Sequence, residues 1–222
     1  MSPNQKLPVV VLISGGGTNL QAIIDRAGTD LPIEIRAVIS NRPGVYGLKR
    51  AEAAGIETAV LDHKQFDDRE SYDRALIELI DGYRPGLVAL AGFMRILTPA
   101  FVRHYAGRLF NIHPSLLPKH RGLHTHQRAL DAGDSLHGAS IHFVTEELDG
   151  GPLIVQAQVP VKPEDDADKL AERVLQKEHQ IYPLAIRWFA EARLKLDKDG
   201  HVRLDDKPLP GPMVFEDHEP IG

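Results

Sequence analysis

The feature that most constrains the fold is an alternation of apolar strands and helical segments over the first ninety residues. Residues 9–13 form a continuous apolar run, mostly β-branched, which is typical of a strand buried on both faces. A glycine-rich stretch follows at residues 14–19, and apolar residues then recur at helical spacing. The same pattern predicts strands at 33–39, 56–61 and 87–91, and helices at 48–54 and 67–80. Such alternation predicts an α/β, Rossmann-like fold, with a mostly parallel central sheet and helices on both faces.

The second half of the chain is less regular. Thr98 and Pro99 indicate a helix start, and Pro183 is expected to kink or break a helical pattern over residues 166–194. Further strands are predicted at 109–111, 139–144 and 153–161. A loop is predicted at 114–124, followed by a helix that ends at residue 132. We expect one domain over residues 1–194, with halves of about 8–100 and 101–194. Residues 195–222 should form a small hairpin around Asp199-Gly200 and an extended tail.

Composition excludes several classes of function. The chain has no cysteine, so disulfides, thiol nucleophiles and thiolate metal sites are excluded. A formal net charge of -5 disfavours a surface that coats nucleic acid or anionic lipid, and no run is long enough to span a membrane. These features fit a cytosolic chain with no nucleic-acid or membrane partner. These arguments leave open what the eleven histidines do.

The glycine-rich stretch lies where the first strand meets the first helix. Glycines let a ligand approach the backbone, and the N–H groups at a helix start favour an anion. Leu20 stands where a dinucleotide fingerprint needs glycine, and the Walker lysine is missing, so neither nicotinamide nor ATP is indicated. The stretch therefore suits a phosphate or carboxylate, with a simple tight turn as the alternative.

Asn111 and His113 are candidates for acid–base chemistry. In an extended segment residues two apart point to the same side, and Pro114 favours extended geometry at His113. An amide and an imidazole together suit oxyanion stabilisation and proton transfer. The alternative is a turn-capping Asn111 and a satisfied buried His113.

Asp149 precedes Gly150 and Gly151, which makes it either a turn carboxylate or a partner that orients His113. His124 and His126 lack a third ligand at a familiar spacing, so we predict no metal site. Several histidines are equally consistent with the lining of an anion pocket or with ordinary positions, namely His120, His124, His126, His137 and His142.

Four segments together resemble the folate-dependent formyltransferases, and within them the branch that acts on glycinamide ribonucleotide. They are, in chain order, SGGGTNLQ at 14–21, AGFMRIL at 91–97, NIHPSLLPK at 111–119 followed by GLHTH at 122–126, and ELDGGP at 147–152. The resemblance extends from about residue 9 to 194. Two positions depart from the usual pattern. The family usually has a polar residue other than glycine at position 16, where this chain has Gly16, and often an aromatic residue at position 120, where it has His120.

The resemblance implies a formyltransferase fold and a transferase of purine biosynthesis, with 10-formyltetrahydrofolate as co-substrate and no metal or nucleotide cofactor. It implies a catalytic set of Asn111, His113 and Asp149. The glycinamide ribonucleotide would be bound by Gly17, Thr18, Asn19 and Glu178. The folate would be bound by Arg69, Met94, Arg95, Ile96, Leu97 and Asn111. A monomer or a homodimer is expected.

Three alternatives remain open. A methionyl-tRNA formyltransferase would usually carry Arg-Gly-Ala-Ala-Pro where this chain has residues 122–126, and would add a C-terminal tRNA-binding barrel. A formyltetrahydrofolate hydrolase would carry a regulatory domain before residue 9. A non-catalytic phosphosugar-binding module on the same fold would not need Asn111, His113 and Asp149. The geometry of the Leu117-Pro118 bond is left undecided.

Overall fold

The computed structural model describes residues 6–216. They form two compact units, which meet in the sequence between Asn111 and Ile112. The single domain expected from the sequence, with its two halves, stays a prediction.

The first unit contains parallel strands in the order β5-β4-β1-β2-β3. The strands are β1 (Leu7–Ile13), β2 (Ile33–Ser40), β3 (Thr58–Val60), β4 (Leu87–Leu90) and β5 (Leu109–His113), whose last two residues belong to the second unit. The helices are α1 (Thr18–Ala27), α2 (Tyr46–Ala53), α3 (Arg69–Gly82) and α4 (Pro99–His104), with a 3₁₀ turn at His63–Gln65. This arrangement confirms the Rossmann-like, mostly parallel sheet.

Strand β1 is central because residues 9–13 are completely buried, as their unbroken apolar run predicts. Ligands of parallel sheets bind beyond the carboxyl ends of the strands. Ser14, Asn41 and Ala91 stand directly after β1, β2 and β4, so they lie at that edge. Thr98 caps α4 through its side chain, with Pro99 at the first helical position, as predicted.

The second unit is built on an antiparallel pair, β6 (Leu136–Phe143) and β7 (Leu153–Pro160), with β11 (Met213–Phe215) parallel to β7. Its helices are α5 (Thr125–Asp131) and α6 (Ala167–Ala190). A separate antiparallel sheet contains β8 (Leu194–Leu196), β9 (Val202–Leu204) and β10 (Lys207–Pro208). β8 and β9 form an antiparallel pair on either side of Asp199-Gly200, and the short strands β10 and β11 lie within residues 207–216.

The expected interruption at Pro183 is wrong in one respect, because α6 continues through this residue. Proline removes one helical hydrogen bond, but the residues around it, 181–186, are all buried, and their packing outweighs that loss. The Leu117–Pro118 bond is cis. Within residues 6–216, no helix has both the length and the apolar character needed to cross a membrane.

Candidate active site

The glycine loop of the first unit presents the start of α1. Gly17, which precedes this helix, has a φ of 71°, a left-handed conformation that glycine adopts at little cost. A Cβ atom on Gly17 would lie 2.7 Å from the Cα atom of Gly47, so no side chain fits there. Among the described residues no side chain caps α1, and its first turn contains no acidic residue. This helix start is therefore suited to bind an anion.

Arg50 brings positive charge to the same loop. Its Nε donates to the carbonyl oxygen of Gly16 at 2.8 Å, and its Nη1 donates to Gln21 Oε1 at 3.1 Å. The guanidinium also lies over the Tyr46 ring, 4.9 Å from the centroid. Arg50 could not be predicted from the sequence, because one arginine on α2 forms no local motif that would separate it from a surface residue.

Ser14 connects the glycine loop to the segment predicted to bind folate. Its buried Oγ donates to Asn41 Oδ1 at 2.6 Å and accepts from the Met94 amide at 2.8 Å. Its own amide donates to the carbonyl of Gly92 at 3.1 Å. The structure thus brings together the ends of β1, β2 and β4 through one hydroxyl. The sequence placed Ser14 at a strand end but assigned it no role.

Residues 94–97 are supported by α3. Asp73 on that helix is buried and accepts a hydrogen bond from the Thr98 amide at 2.6 Å, and its burial raises the pKa of the carboxyl. The Arg95 guanidinium lies over the Tyr72 ring, 4.5 Å from the centroid. Met94 and Ile96 are more than half exposed, so this segment presents apolar surface after the carboxyl end of β4.

His113 is buried at the end of β5, and both of its ring nitrogens face oxygen atoms. Nε2 donates to the main-chain carbonyl of His120 at 2.9 Å. Nδ1 lies 3.4 Å from Oδ2 of Asp149. An imidazole with an acceptor at each nitrogen has a fixed orientation, which a group that takes part in proton transfer needs.

Asp149 is held by the backbone and by a second histidine. Its Oδ2 accepts from the Gly122 amide at 2.9 Å, and its Oδ1 lies 3.9 Å from Nε2 of His142. His142 is buried and donates through Nδ1 to the carbonyl of Phe143 at 2.9 Å, and burial lowers its pKa. The carboxylate of Asp149 thus has His113 as its nearer imidazole. The hypothesis that Asp149 orients His113 fits this geometry.

Two features fix the loop that carries Asp149. Arg121 forms an ion pair with Glu147, which lies two residues before Asp149. Gly151 leaves no space for a side chain, because a Cβ atom there would lie 1.8 Å from the carbonyl oxygen of Phe143. Glycine at this position is therefore required for the close approach of two chain segments.

Three further histidines of the second unit lie near one another, since the ring centroid of His137 is 5.2 Å from that of His126 and 6.1 Å from that of His120. His120 contacts Asp134, and Nδ1 of His126 lies 3.1 Å from Nε2 of His137. His124 adopts a left-handed conformation directly before α5. Within residues 6–216 we find no cluster of three or more His, Cys, Asp or Glu side chains arranged to hold a metal ion.

Three predicted site residues are not tested by these contacts. Arg69 is exposed at the first position of α3, and Glu178 is buried on α6. Asn111 is half-buried in β5, two residues before His113. Strand geometry directs Asn111 and His113 to the same side. Their roles, and those of the other site residues, stay predictions.

Comparisons with known proteins agree with the site and the fold. The formyl transferase family model matches residues 7–186. Phosphoribosylglycinamide formyltransferase of Escherichia coli K12 is 59% identical over 203 residues, which are 91% of this chain and 95% of that protein. The Haemophilus influenzae protein of the same name is 50% identical over 203 residues, with the same two coverages.

A solved structure shows the same fold. Phosphoribosylglycinamide formyltransferase from Coxiella burnetii superposes with a TM-score of 0.91 and is 53% identical, covering 95% of this chain and 100% of that one. The formyltransferase fold expected from the sequence is therefore confirmed. The chain belongs to the formyl transferase family.

Proposed function

We propose that the protein transfers the formyl group of 10-formyltetrahydrofolate to the primary amine of glycinamide ribonucleotide. The products are tetrahydrofolate and formylglycinamide ribonucleotide, an intermediate of de novo purine biosynthesis. The observation that carries the proposal is the contact of the buried His113 ring with Asp149, 3.4 Å from Nδ1 to Oδ2. The similarity to two proteins named phosphoribosylglycinamide formyltransferase supports the choice of substrate.

The reaction begins when the amine nitrogen of the substrate attacks the formyl carbon on N10 of the folate. A carbon–nitrogen bond forms, and the formyl oxygen becomes an oxyanion. Asn111 donates a hydrogen bond to this oxygen, worth about 3–4 kcal/mol in the transition state. Protonated His113, whose two N–H groups face the His120 carbonyl and Asp149, stabilises the oxygen by its positive charge. When the intermediate collapses, the bond from carbon to N10 breaks and the carbonyl is restored.

One proton must move from the attacking nitrogen to the departing N10. His113, or a water next to it, carries this proton. The Asp149 carboxylate orients the ring, since its Oδ2 lies 3.4 Å from Nδ1. Neither step is a redox reaction or an acyl activation, so this route requires no resident metal or nucleotide cofactor.

The binding roles follow the chemistry of each segment. The phosphate of the ribonucleotide is held by backbone N–H groups of Gly17, Thr18 and Asn19, at the uncapped start of α1. Glu178 binds the ribose or glycinamide part of the same substrate. The folate is bound by Arg69, Asn111 and the segment Met94, Arg95, Ile96 and Leu97, whose exposed apolar side chains suit a planar pterin.

We further expect a cytoplasmic enzyme, monomeric or homodimeric, that acts on small molecules and needs no nucleic acid or membrane partner. The overall net charge of -5 is consistent with this expectation.

The test is to mix the protein with 10-formyltetrahydrofolate and to follow the loss of the formyl folate by absorbance, with and without glycinamide ribonucleotide. Turnover that requires the ribonucleotide supports the proposal. Turnover without it indicates a hydrolase, and no turnover in either mixture indicates a binding module. Glycinamide riboside, which lacks the phosphate, serves as the matched control and should react poorly. Equal kcat/KM for the two would contradict the phosphate-binding role of the glycine loop.

A further inference from the structure

His120 contacts the proposed acid–base group through its backbone. Its carbonyl oxygen accepts the hydrogen bond from Nε2 of His113 at 2.9 Å. Because Nδ1 of the same ring faces Asp149, the carbonyl of residue 120 fixes the rotation of the imidazole. The position of this carbonyl therefore controls how His113 is presented.

The backbone at His120 is held in an unfavourable conformation. Its φ is 54°, in the left-handed region that residues with a side chain seldom adopt. Such a conformation persists where surrounding contacts maintain it. The His120 side chain makes one such contact.

Asp134 supplies that contact. Nε2 of His120 lies 2.7 Å from Oδ2 of Asp134, and the two side chains are only 12% and 13% exposed. The hydrogen bond from His120 is the main reason why the pKa of Asp134 is lowered, so the carboxylate is charged. Asp134 is itself anchored, because its amide donates to the carbonyl of Ala129 at the end of α5, at 3.1 Å.

We propose that His120 and Asp134 are positioning residues, whose side-chain contact locks the turn at residue 120 and thereby orients His113. The inference rests on the proposed function, in which His113 is the acid–base group. Neither residue is assigned a contact with substrate. They act on the reaction only through the hydrogen bond between the carbonyl of residue 120 and His113.

Lys119 provides an internal control. Its Nζ contacts the other carboxylate oxygen of Asp134, Oδ1, at 2.7 Å, but the lysine side chain is 61% exposed. Lys119→Ala removes one partner of Asp134 and leaves the His120 contact in place. We expect kcat to stay within about twofold of wild type in this variant, since exposed ion pairs contribute little.

Steady-state kinetics of three variants tests whether the contact between His120 and Asp134 orients His113. We expect Asp134→Ala and His120→Ala to lower kcat about tenfold or more while both KM values stay within about twofold, because His113 is misdirected and the substrate contacts remain. His120→Gly should lose less than His120→Ala, since glycine adopts a positive φ without help. An unchanged kcat in the Asp134→Ala and His120→Ala variants would overturn the proposal, as would KM values that rise as much as kcat falls.

A second readout does not depend on turnover. In protein labelled with ¹⁵N-histidine, the Nε2–H proton of His113 should exchange slowly with solvent, and the His113→Gln variant identifies its signal. We expect Asp134→Ala to accelerate this exchange and Lys119→Ala to leave it unchanged. Retention of the protected signal in folded Asp134→Ala protein would refute the positioning role. Should an alanine variant fail to unfold cooperatively, the same measurement on His120→Gly decides, with faster exchange than wild type expected and wild-type protection contradicting the proposal.

The two readouts separate the inference from the proposed function. If Asp134→Ala accelerates exchange but wild-type protein transfers no formyl group, the orientation of His113 by this pair stands and the proposed function fails. If wild-type protein transfers the formyl group but exchange and kcat are unchanged in Asp134→Ala, the proposed function stands and this inference fails.

Discussion

Nδ1 of His113 lies 3.4 Å from Oδ2 of Asp149, and the Gly122 amide donates to that same carboxylate oxygen at 2.9 Å. Asp149 is therefore aimed at the imidazole by a backbone hydrogen bond. Both side chains are buried, which strengthens their interaction relative to a pair in water.

Removing either partner should abolish most of the activity. We expect His113→Ala and Asp149→Asn each to lower kcat by about 10²–10⁴-fold, since a positioned acid–base group contributes that much. The thermal unfolding midpoint should confirm that each variant is folded. His104→Ala is a matched control, because His104 and Asp81 make a 2.8 Å contact in which both side chains are about 40% exposed. Wild-type steady-state rates in either site variant would rule out the assignment.

Two neighbouring glycines give a paired test of the phosphate loop. Gly17→Ala forces a Cβ into the left-handed conformation and within 2.7 Å of Gly47, so the loop must shift. We expect KM for glycinamide ribonucleotide to rise about tenfold or more, with little change in KM for the folate. At Gly16 a Cβ would meet nothing within 4 Å, so Gly16→Ala is the control. Similar KM values for the two variants would argue against binding through this helix start.

Substitution of Ser14 should weaken the binding of the folate. Ser14→Ala removes the hydroxyl between Asn41 and the Met94 amide, leaving buried polar groups unpaired at a cost of about 1–3 kcal/mol. We expect a raised KM for 10-formyltetrahydrofolate. Ser40→Ala is the control, because Ser40 is also buried but its hydroxyl contacts the backbone of Arg42. A folate KM that changes equally in both variants would show that general destabilisation is the cause.

His137 predicts how stability depends on pH. Burial, with His126 and His120 nearby, lowers the pKa of His137 to about 4. An unfolded histidine has a pKa near 6.5, so between about pH 4 and 6.5 the unfolded chain binds a proton that the folded chain does not. The free energy of unfolding should therefore fall as pH decreases through this window.

Thermal unfolding of His137→Gln between pH 7.5 and 4.5 tests this contribution. We expect a shallower loss of Tm with falling pH than in wild type, by roughly 2–4 °C for each kcal/mol removed. His201→Gln is the control, because the His201 side chain is 70% exposed, and it should keep the wild-type slope. Identical slopes in wild type and His137→Gln would contradict the argument.

The strands and helices of the first unit could be predicted from the sequence because each carries its own signal. The apolar run of residues 9–13 indicates a buried strand, and Thr98-Pro99 indicates a helix start. Pro183 misled the prediction, because packing of the residues around it is not visible in a local pattern. Tertiary burial thus decided the course of α6.

The site residues also divide into those that the sequence could indicate and those whose role only the fold reveals. The sequence indicated His113 and Asp149 as candidates, but only the fold brings their side chains to 3.4 Å. Ser14 and Arg50 were missed because their roles depend on partners far along the chain, such as Met94 for Ser14. The contribution of His120 comes from its backbone carbonyl. Because every residue has one, the sequence could not indicate this role.

The most direct test of the proposed function follows the formyl carbon itself. Protein is mixed with 10-formyltetrahydrofolate labelled with ¹³C in the formyl group and with glycinamide ribonucleotide, and the label is traced by NMR. We expect the label to appear in the amide of formylglycinamide ribonucleotide with wild-type protein, and to appear there far more slowly with His113→Ala. Label that ends in formate, or that moves equally fast with His113→Ala, would contradict it.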